Sequence, residues 1–222
     1  RWHHPLKGLI SPLKFIPLAE KKGLILPIGE WVLDKACQQL VLWQKNIKTS
    51  ELTLAINVSS KQLSQSDFSG IIKKAVVKYE IDPKKLKIEL TESLLQGDLA
   101  NTAVKMNELN DFGIHFSLDD FGTGYSSLQY LKKLPFYQLK IDQSFVRDST
   151  NHENDKAIVL AILAIADSLN LCVIAEGVET IAQLKYLTDH GCRQFQGYLF
   201  SKPLPIVHFN RLVENNHLTI LK

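Results

Sequence analysis

Apolar positions recur along this chain with two periods, and the longer one marks helices. Val32, Ala36, Leu40 and Trp43 fall at i, i+4, i+8 and i+11, with Leu33 and Cys37 widening the stripe, which predicts a helix near 28–45. Leu99, Ala103 and Met106 form a second stripe that Gly113 would stop. Ile158, Ile162, Ile165 and Leu169 mark a third. Thr180 with Gln183 reads as a capping box opening a fourth, which Gly191 closes. A further helix is expected over about 60–79, capped by Ser59 or Ser60. Between these lie six strand candidates: LTLAINVS (52–59), LKIELTE (86–92), IHFSLDD (114–120), YQLKID (137–142), LCVIAEG (171–177) and CRQFQGY (192–198). Because helical stretches intervene, the strands are expected to run parallel through right-handed crossovers.

The phase of the strands narrows the architecture. Ile56 and Val58 flank Asn57, Ile88 and Leu90 flank Glu89, and Leu139 and Ile141 flank Lys140. Successive strand residues face opposite ways, so one face is apolar and the other carries polar groups near the C-terminal strand ends. A doubly wound open sheet would be apolar on both faces. Polar groups converging from several strand ends describe the mouth of a TIM barrel. Six strand–helix units follow residue 50, two short of eight, and the segment before them is too short to supply the rest.

One stretch stands out chemically. HFSLDDFGTGYSS (115–127) places Asp119 and Asp120 side by side at a strand end, before a loop with Gly122 and Gly124. Adjacent carboxylates repel unless solvated or neutralised. They read either as a solvated turn or as ligands of a bridged metal pair. The strand-end set, Asn57, Glu89, Asp119, Asp120, Lys140, Glu176 and Gln196, holds four carboxylates and two amides but no cysteine or histidine. Such hard oxygen donors favour Mg2+ or Mn2+, with Ca2+ as an occupant or inhibitor, over zinc or copper. Two ions sharing a carboxylate would activate water for in-line attack on phosphorus. Lys140 would orient that water or stabilise the developing charge, or else simply pair with neighbouring carboxylates.

Composition excludes several alternatives. The 222 residues are 45% hydrophobic and carry a formal net charge of +3, enough for one substantial core and too mild a charge to argue for a nucleic-acid polymer. The lysines at 73, 74, 78, 84, 85 and 87 read as solvated surface. Cys37, Cys172 and Cys192 form no CxxC pair and suit a reducing compartment. No apolar run reaches the roughly 18 residues of a membrane span, and no signal peptide is visible.

Taken together, RWHHP (1–5), FIPLAE (15–20), LPIGEWVL (26–33), INVS (56–59), IELTES (88–93), SLDDFGTGYSSL (117–128), LKID (139–142), IAEGVET (174–180) and QGYLFSKPLP (196–205) resemble, in order and spacing, the EAL-domain cyclic di-GMP phosphodiesterases over nearly the whole chain. The resemblance implies an α/β fold, a modified TIM (β/α)8 barrel whose first strand is antiparallel. It implies one metal held by Asn57, Glu89 and Asp119, and a second held by Asp119, Asp120 and Glu176. Lys140 and Gln196 match residues that position the attacking water. Arg1, Thr91 and Asp142 match substrate contacts. Glu92 matches the glutamate that anchors the loop containing Gly122 and Gly124, and Glu179 another acid supporting the site. The implied reaction converts cyclic di-GMP to linear pGpG in bacterial second-messenger signalling.

The family's Glu–Ala–Leu motif lies just before Arg–Trp, where this chain begins. One domain over 1–222 is therefore expected, N-terminally truncated, with the motif and the first one or two strands upstream. The missing glutamate keeps open a catalytically inactive receptor for cyclic di-GMP. The resemblance further implies a homodimer through helices in the 120s–160s, with the polar stretch 147–156 as a loop nearby, and an upstream sensory or GGDEF-type domain. The domain itself is expected in the cytoplasm, whether or not its parent protein is membrane-anchored.

Overall fold

Alternation in Leu86–Thr91 is converted directly into a two-faced strand: Leu86, Ile88 and Leu90 are fully buried while Lys87, Glu89 and Thr91 are partly exposed. The computed structural model describes residues 2–92, 94, 98–123 and 128–215. The N-terminal stretch forms an antiparallel hairpin, β1 (Trp2–His4) with β2 (Gly8–Ile10), followed by helices α1 (Pro12–Lys22) and α2 (Ile25–Gln44). The remaining described elements are β3 (Leu54–Asn57), α3 (Ser60–Leu63), α4 (Phe68–Tyr79), β4 (Leu86–Thr91), α5 (Leu99–Phe112), β5 (His115–Phe121), α6 (Leu128–Lys133), β6 (Phe136–Ile141), α7 (Gln143–Asp148), α8 (Glu153–Ser168), β7 (Cys172–Ala175), α9 (Ile181–Asp189), β8 (Gln194–Phe195) and α10 (Ile206–Glu214). The six expected strands are all present: those expected at 52–59, 86–92, 171–177 and 192–198 are shorter, and those at 114–120 and 137–142 are shifted by one residue.

β3 to β8 form one sheet in sequential order, every pairing parallel. The sheet curls into a half-barrel wall. α2 precedes its first strand and α10 follows its last, yet the Trp43 indole N–H donates to Asn210 Oδ1 at 2.9 Å and its ring lies 5.7 Å from Phe209. A flat six-stranded sheet, with strands about 4.8 Å apart, would hold those helices well out of reach. Apolar outer-face residues such as Ile88, Leu118 and Leu139 pack with Met106, Leu109, Val159 and Ile162 from the helices. Full burial of such a side chain contributes roughly 1.5–3 kcal/mol.

Side-chain caps fix where α3, α5, α7 and α9 start. Ser59 with Gln62 and Thr180 with Gln183 are complete capping boxes, while Asp98 and Asp142 accept from Asn101 N and Ser144 N. Gly113 ends α5 with φ of 106°. The 60–79 helix proves to be two, α3 and α4, interrupted at residues 64–67. The 147–156 stretch is mostly helix: α7 runs to Asp148 and α8 begins at Glu153. Residues 149–152 form the expected polar loop, while Glu153 and Asp155 sit in the first turn of α8, where negative charge suits the helix dipole, so that part of the polarity belongs to a helix start.

Candidate functional site

Strand register brings the polar strand-end groups together. Asn57 pairs with Glu89, and Thr91 with Asp119, in adjacent parallel strands. Asn57 Nδ2 donates to Glu89 Oε2 at 3.4 Å. Lys140, at the end of β6 and only 5% exposed, lies at the centre. Its ammonium is 3.1 Å from Glu89 Oε1, 2.9 Å from Asp119 Oδ1 and 2.7 Å from Glu176 Oε1. Burial alone would lower its pKa, but Glu89, Glu176 and Asp119 together outweigh burial and hold it above the ordinary lysine value, so the side chain is a fixed cation.

Asp119 and Asp120 reach the same side by an irregularity. In a regular strand neighbours face opposite ways, and Asp120 would point into the helical layer. Here the β5–β6 register slips between Leu118 and Phe121: Leu118 pairs with Leu139 and Phe121 with Ile141. Three steps on β5 match two on β6, which is a bulge. Asp120 adopts φ of 54°, left-handed for a residue with a side chain. Its N–H donates to Asp119 Oδ1 at 3.1 Å, and its carbonyl accepts from Thr123 Oγ1 at 2.8 Å. Gly122, φ of 97°, lies under Phe145; a Cβ there would come within 2.9 Å of that ring.

The result is a carboxylate cluster. Oxygens of Asp119, Asp120 and Glu176 lie within 4.8 Å of one another. Burial, then repulsion by Asp119 and Asp142, raises the Asp120 pKa. Burial also raises that of Glu176; Asp119 and Glu89 add to this, and Lys140 opposes it. The donor set is all oxygen, half-buried and short of positive charge, which fits a hard divalent cation. Glu89 and Asp119, with Asn57 bonded to Glu89, form an adjoining oxygen-bearing set beside the same lysine.

Other predicted residues surround this centre. Glu176 N donates to Ile141 O at 3.1 Å, and Gln196 N to Ala175 O at 2.8 Å, which extends the ladders beyond β7 and β8. Gly197 lies against Val178; a Cβ there would meet the Val178 carbonyl oxygen at 2.1 Å, so only glycine allows this path. Asp142 caps α7 and its carboxyl reaches that of Asp120. Glu92 is buried. Glu179 and Gln196 line a cavity of about 550 Å³ with Glu176, Gln143, Tyr198 and Lys202. Thr91 and Asn57 line another of about 470 Å³ with Pro12, Leu13 and Ile16. The two cavities thus flank the carboxylates. Arg1 and Gly124 lie outside the described residues. Tyr198 and Lys202 were not singled out from sequence, although both sit inside the QGYLFSKPLP stretch; their chemistry is generic, and only the cavity distinguishes them.

The family model for the EAL domain matches residues 1–203. A curated relative, the bifunctional diguanylate cyclase/cyclic di-GMP phosphodiesterase MucR of Pseudomonas aeruginosa, is 45% identical over 205 residues, 92% of this chain and 30% of that protein. The cyclic di-GMP phosphodiesterase PdeR of Escherichia coli is 41% identical over 212 residues, 95% of this chain and 32% of that protein. The chain thus spans about a third of the length of these two curated relatives. Among solved structures, the PaMucR phosphodiesterase in complex with c-di-GMP superposes with a TM-score of 0.89 at 44% identity, covering 94% of this chain and 84% of that one. The EAL enzyme Bd1971 with cAMP and cyclic di-GMP bound gives 0.92 at 34% identity, covering 96% and 58%.

Proposed function

The chain belongs to the EAL domain family, and on that premise we propose that it hydrolyses one phosphodiester bond of cyclic di-GMP to give linear pGpG, with two divalent cations, Mg2+ or Mn2+. The observation that carries the reading is the buried Lys140 ammonium in contact with Glu89, Asp119 and Glu176 at a strand-end mouth between two cavities. The names of MucR and PdeR, and the nucleotide in the PaMucR structure, support the substrate.

In this reading Asn57, Glu89 and Asp119 hold one cation, and Asp119, Asp120 and Glu176 the other. The cations would supply Lewis acidity and a bound water of lowered pKa. Lys140 keeps its proton throughout, orients the attacking water and offsets charge that accumulates on the phosphoryl oxygens. Gln196 holds the same water from just beyond β8. Arg1, Thr91 and Asp142 contact the nucleotide, Glu92 and Glu179 support the loops, and Gly122 with Gly124 gives the loop after Asp120 its backbone freedom. The same reading includes a homodimer and a cytoplasmic domain linked to a sensory or GGDEF-type domain.

The test is incubation of the full-length natural protein with cyclic di-GMP and Mg2+ or Mn2+, followed by chromatography of the products. Release of pGpG is expected, with Ca2+ occupying the site without turnover. Binding without turnover in either metal would mean a receptor. No binding by a demonstrably folded protein would remove both nucleotide readings.

A second expectation follows from the acids. Asp120 and Glu176 have raised pKa values in the metal-free fold. Their contribution to stability is therefore present at acid pH and is lost as pH rises through those values. A cation restores it, so the rise in Tm on adding Mn2+ is expected to grow from acid pH toward neutrality. Thermal melts across pH check this; an increment that shrinks toward neutrality would contradict it.

A further inference from the structure

Directly beneath the carboxylates the inner wall carries a second polar layer. Ser117, Gln138 and Gln194 each stand two residues before a site residue on the same strand path, namely Asp119, Lys140 and Gln196. Residues two apart share a face, so all three line the inside of the wall below the mouth. They are hydrogen-bonded to one another. Ser117 Oγ donates to Gln138 Oε1 at 2.9 Å, and Gln138 Nε2 donates to Gln194 Oε1 at 2.6 Å. Ser117 is fully buried and Gln138 is 4% exposed, so the central amide depends on these partners.

The second bond differs from a sheet ladder because it spans β7. β8 is two residues long and meets β7 only at Ile174 with Gln194 and Ala175 with Phe195. Ladder bonds fix neighbouring strands, but they leave the curl across three strands soft. That curl sets how far Gln196, on the path of β8, stands from Lys140 on β6. The bulge between Phe116 and Ser117 is what brings Ser117 opposite Gln138 and completes the layer.

We propose that Gln138 is a positioning residue: by clamping Gln194 across β7 it fixes the curvature of the wall between β6 and β8, and with it the placement of Gln196 relative to Lys140. Its effect on rate rests on the phosphodiesterase reading above. Gln138 lines neither cavity beside the carboxylates, so its loss bears on kcat and leaves KM unchanged.

The test uses Gln138→Leu, Gln194→Leu and the double variant in the full-length protein. Each single change is expected to lower kcat about tenfold at constant KM, as small misplacements of a catalytic group do. The double variant should be no slower than the slower single, because both singles already remove the same Gln138–Gln194 bond. Amide hydrogen exchange at Gln196 should quicken at least fivefold in both singles, with Lys140 unchanged. Exchange at Gln196 equal to that of the parent would overturn the clamp whatever kcat does, as would additive losses in the double variant. If the parent itself fails to hydrolyse cyclic di-GMP, the activity reading falls and exchange alone decides the clamp. Gln194 is exposed, so Gln194→Leu keeps the test available should Gln138→Leu not fold.

Discussion

Asp119→Ala is expected to lower kcat by at least about 10³-fold, the factor produced by losing roughly 4 kcal/mol of transition-state stabilisation. Asp119 is the member common to both proposed metal sets. It also touches Lys140 at 2.9 Å and receives the Asp120 N–H. Removing it takes a ligand from both cations and releases the backbone that turns Asp120 toward Glu176. Its loss also relieves repulsion on Asp120 and Glu176, so the metal-free fold is not expected to lose much stability. The diagnostic pair is therefore an inactive enzyme with a near-parental Tm and little rise in Tm on adding Mn2+. Glu89→Ala should also abolish turnover. An Asp119→Ala protein within tenfold of the parental kcat would contradict the bridging role.

Lys140→Ala is expected to separate metal binding from rate. The lysine is a cation held among three carboxylates, and each bound divalent ion competes with it for them. Mn2+ should bind the variant at least as tightly as the parent, while kcat falls about 10²-fold, the usual loss for one donor to a developing charge. Without metal, Glu89, Asp119 and Glu176 would lose their shared counter-charge while remaining mostly buried. Breaking a buried pair in this way costs about 3–5 kcal/mol, so the metal-free Tm should drop and Mn2+ should restore much of it. Isothermal titration, steady-state kinetics and thermal melts check the three parts. Parental kcat with undiminished metal affinity would remove Lys140 from the chemistry and leave it as a structural counter-ion.

Much of this fold is legible in the sequence alone. All six strands of the sheet are legible as short strand segments between helical stretches, and three of them (52–59, 86–92 and 137–142) show the alternation of a strand that buries one face against helices and turns the other inward. Gly113 and the Thr180–Gln183 box were readable because capping is local chemistry, settled within a few residues. The short helices α6, α7 and α10 and the break between α3 and α4 were not anticipated. Four to nine residues carry too little periodicity, and packing rather than propensity decides whether they are helical.

For the site, the sequence by itself determined which groups stand at the strand ends. Asn57, Glu89 and Lys140 follow from period-two alternation, which is a property of any single strand, and Glu176 from its place at the end of an apolar strand segment. What alternation cannot say is where Asp120 points. It assigns Asp119 and Asp120 to opposite faces, and the carboxylate pair would then be split. Only the tertiary structure brought them together, through a slipped register against β6 and a left-handed Asp120. The same holds for Gln138 and Gln194, 56 residues apart, which meet because the wall curls across β7. Curvature and register are set by neighbouring strands and by helices packed behind them, so no single segment of the chain encodes them.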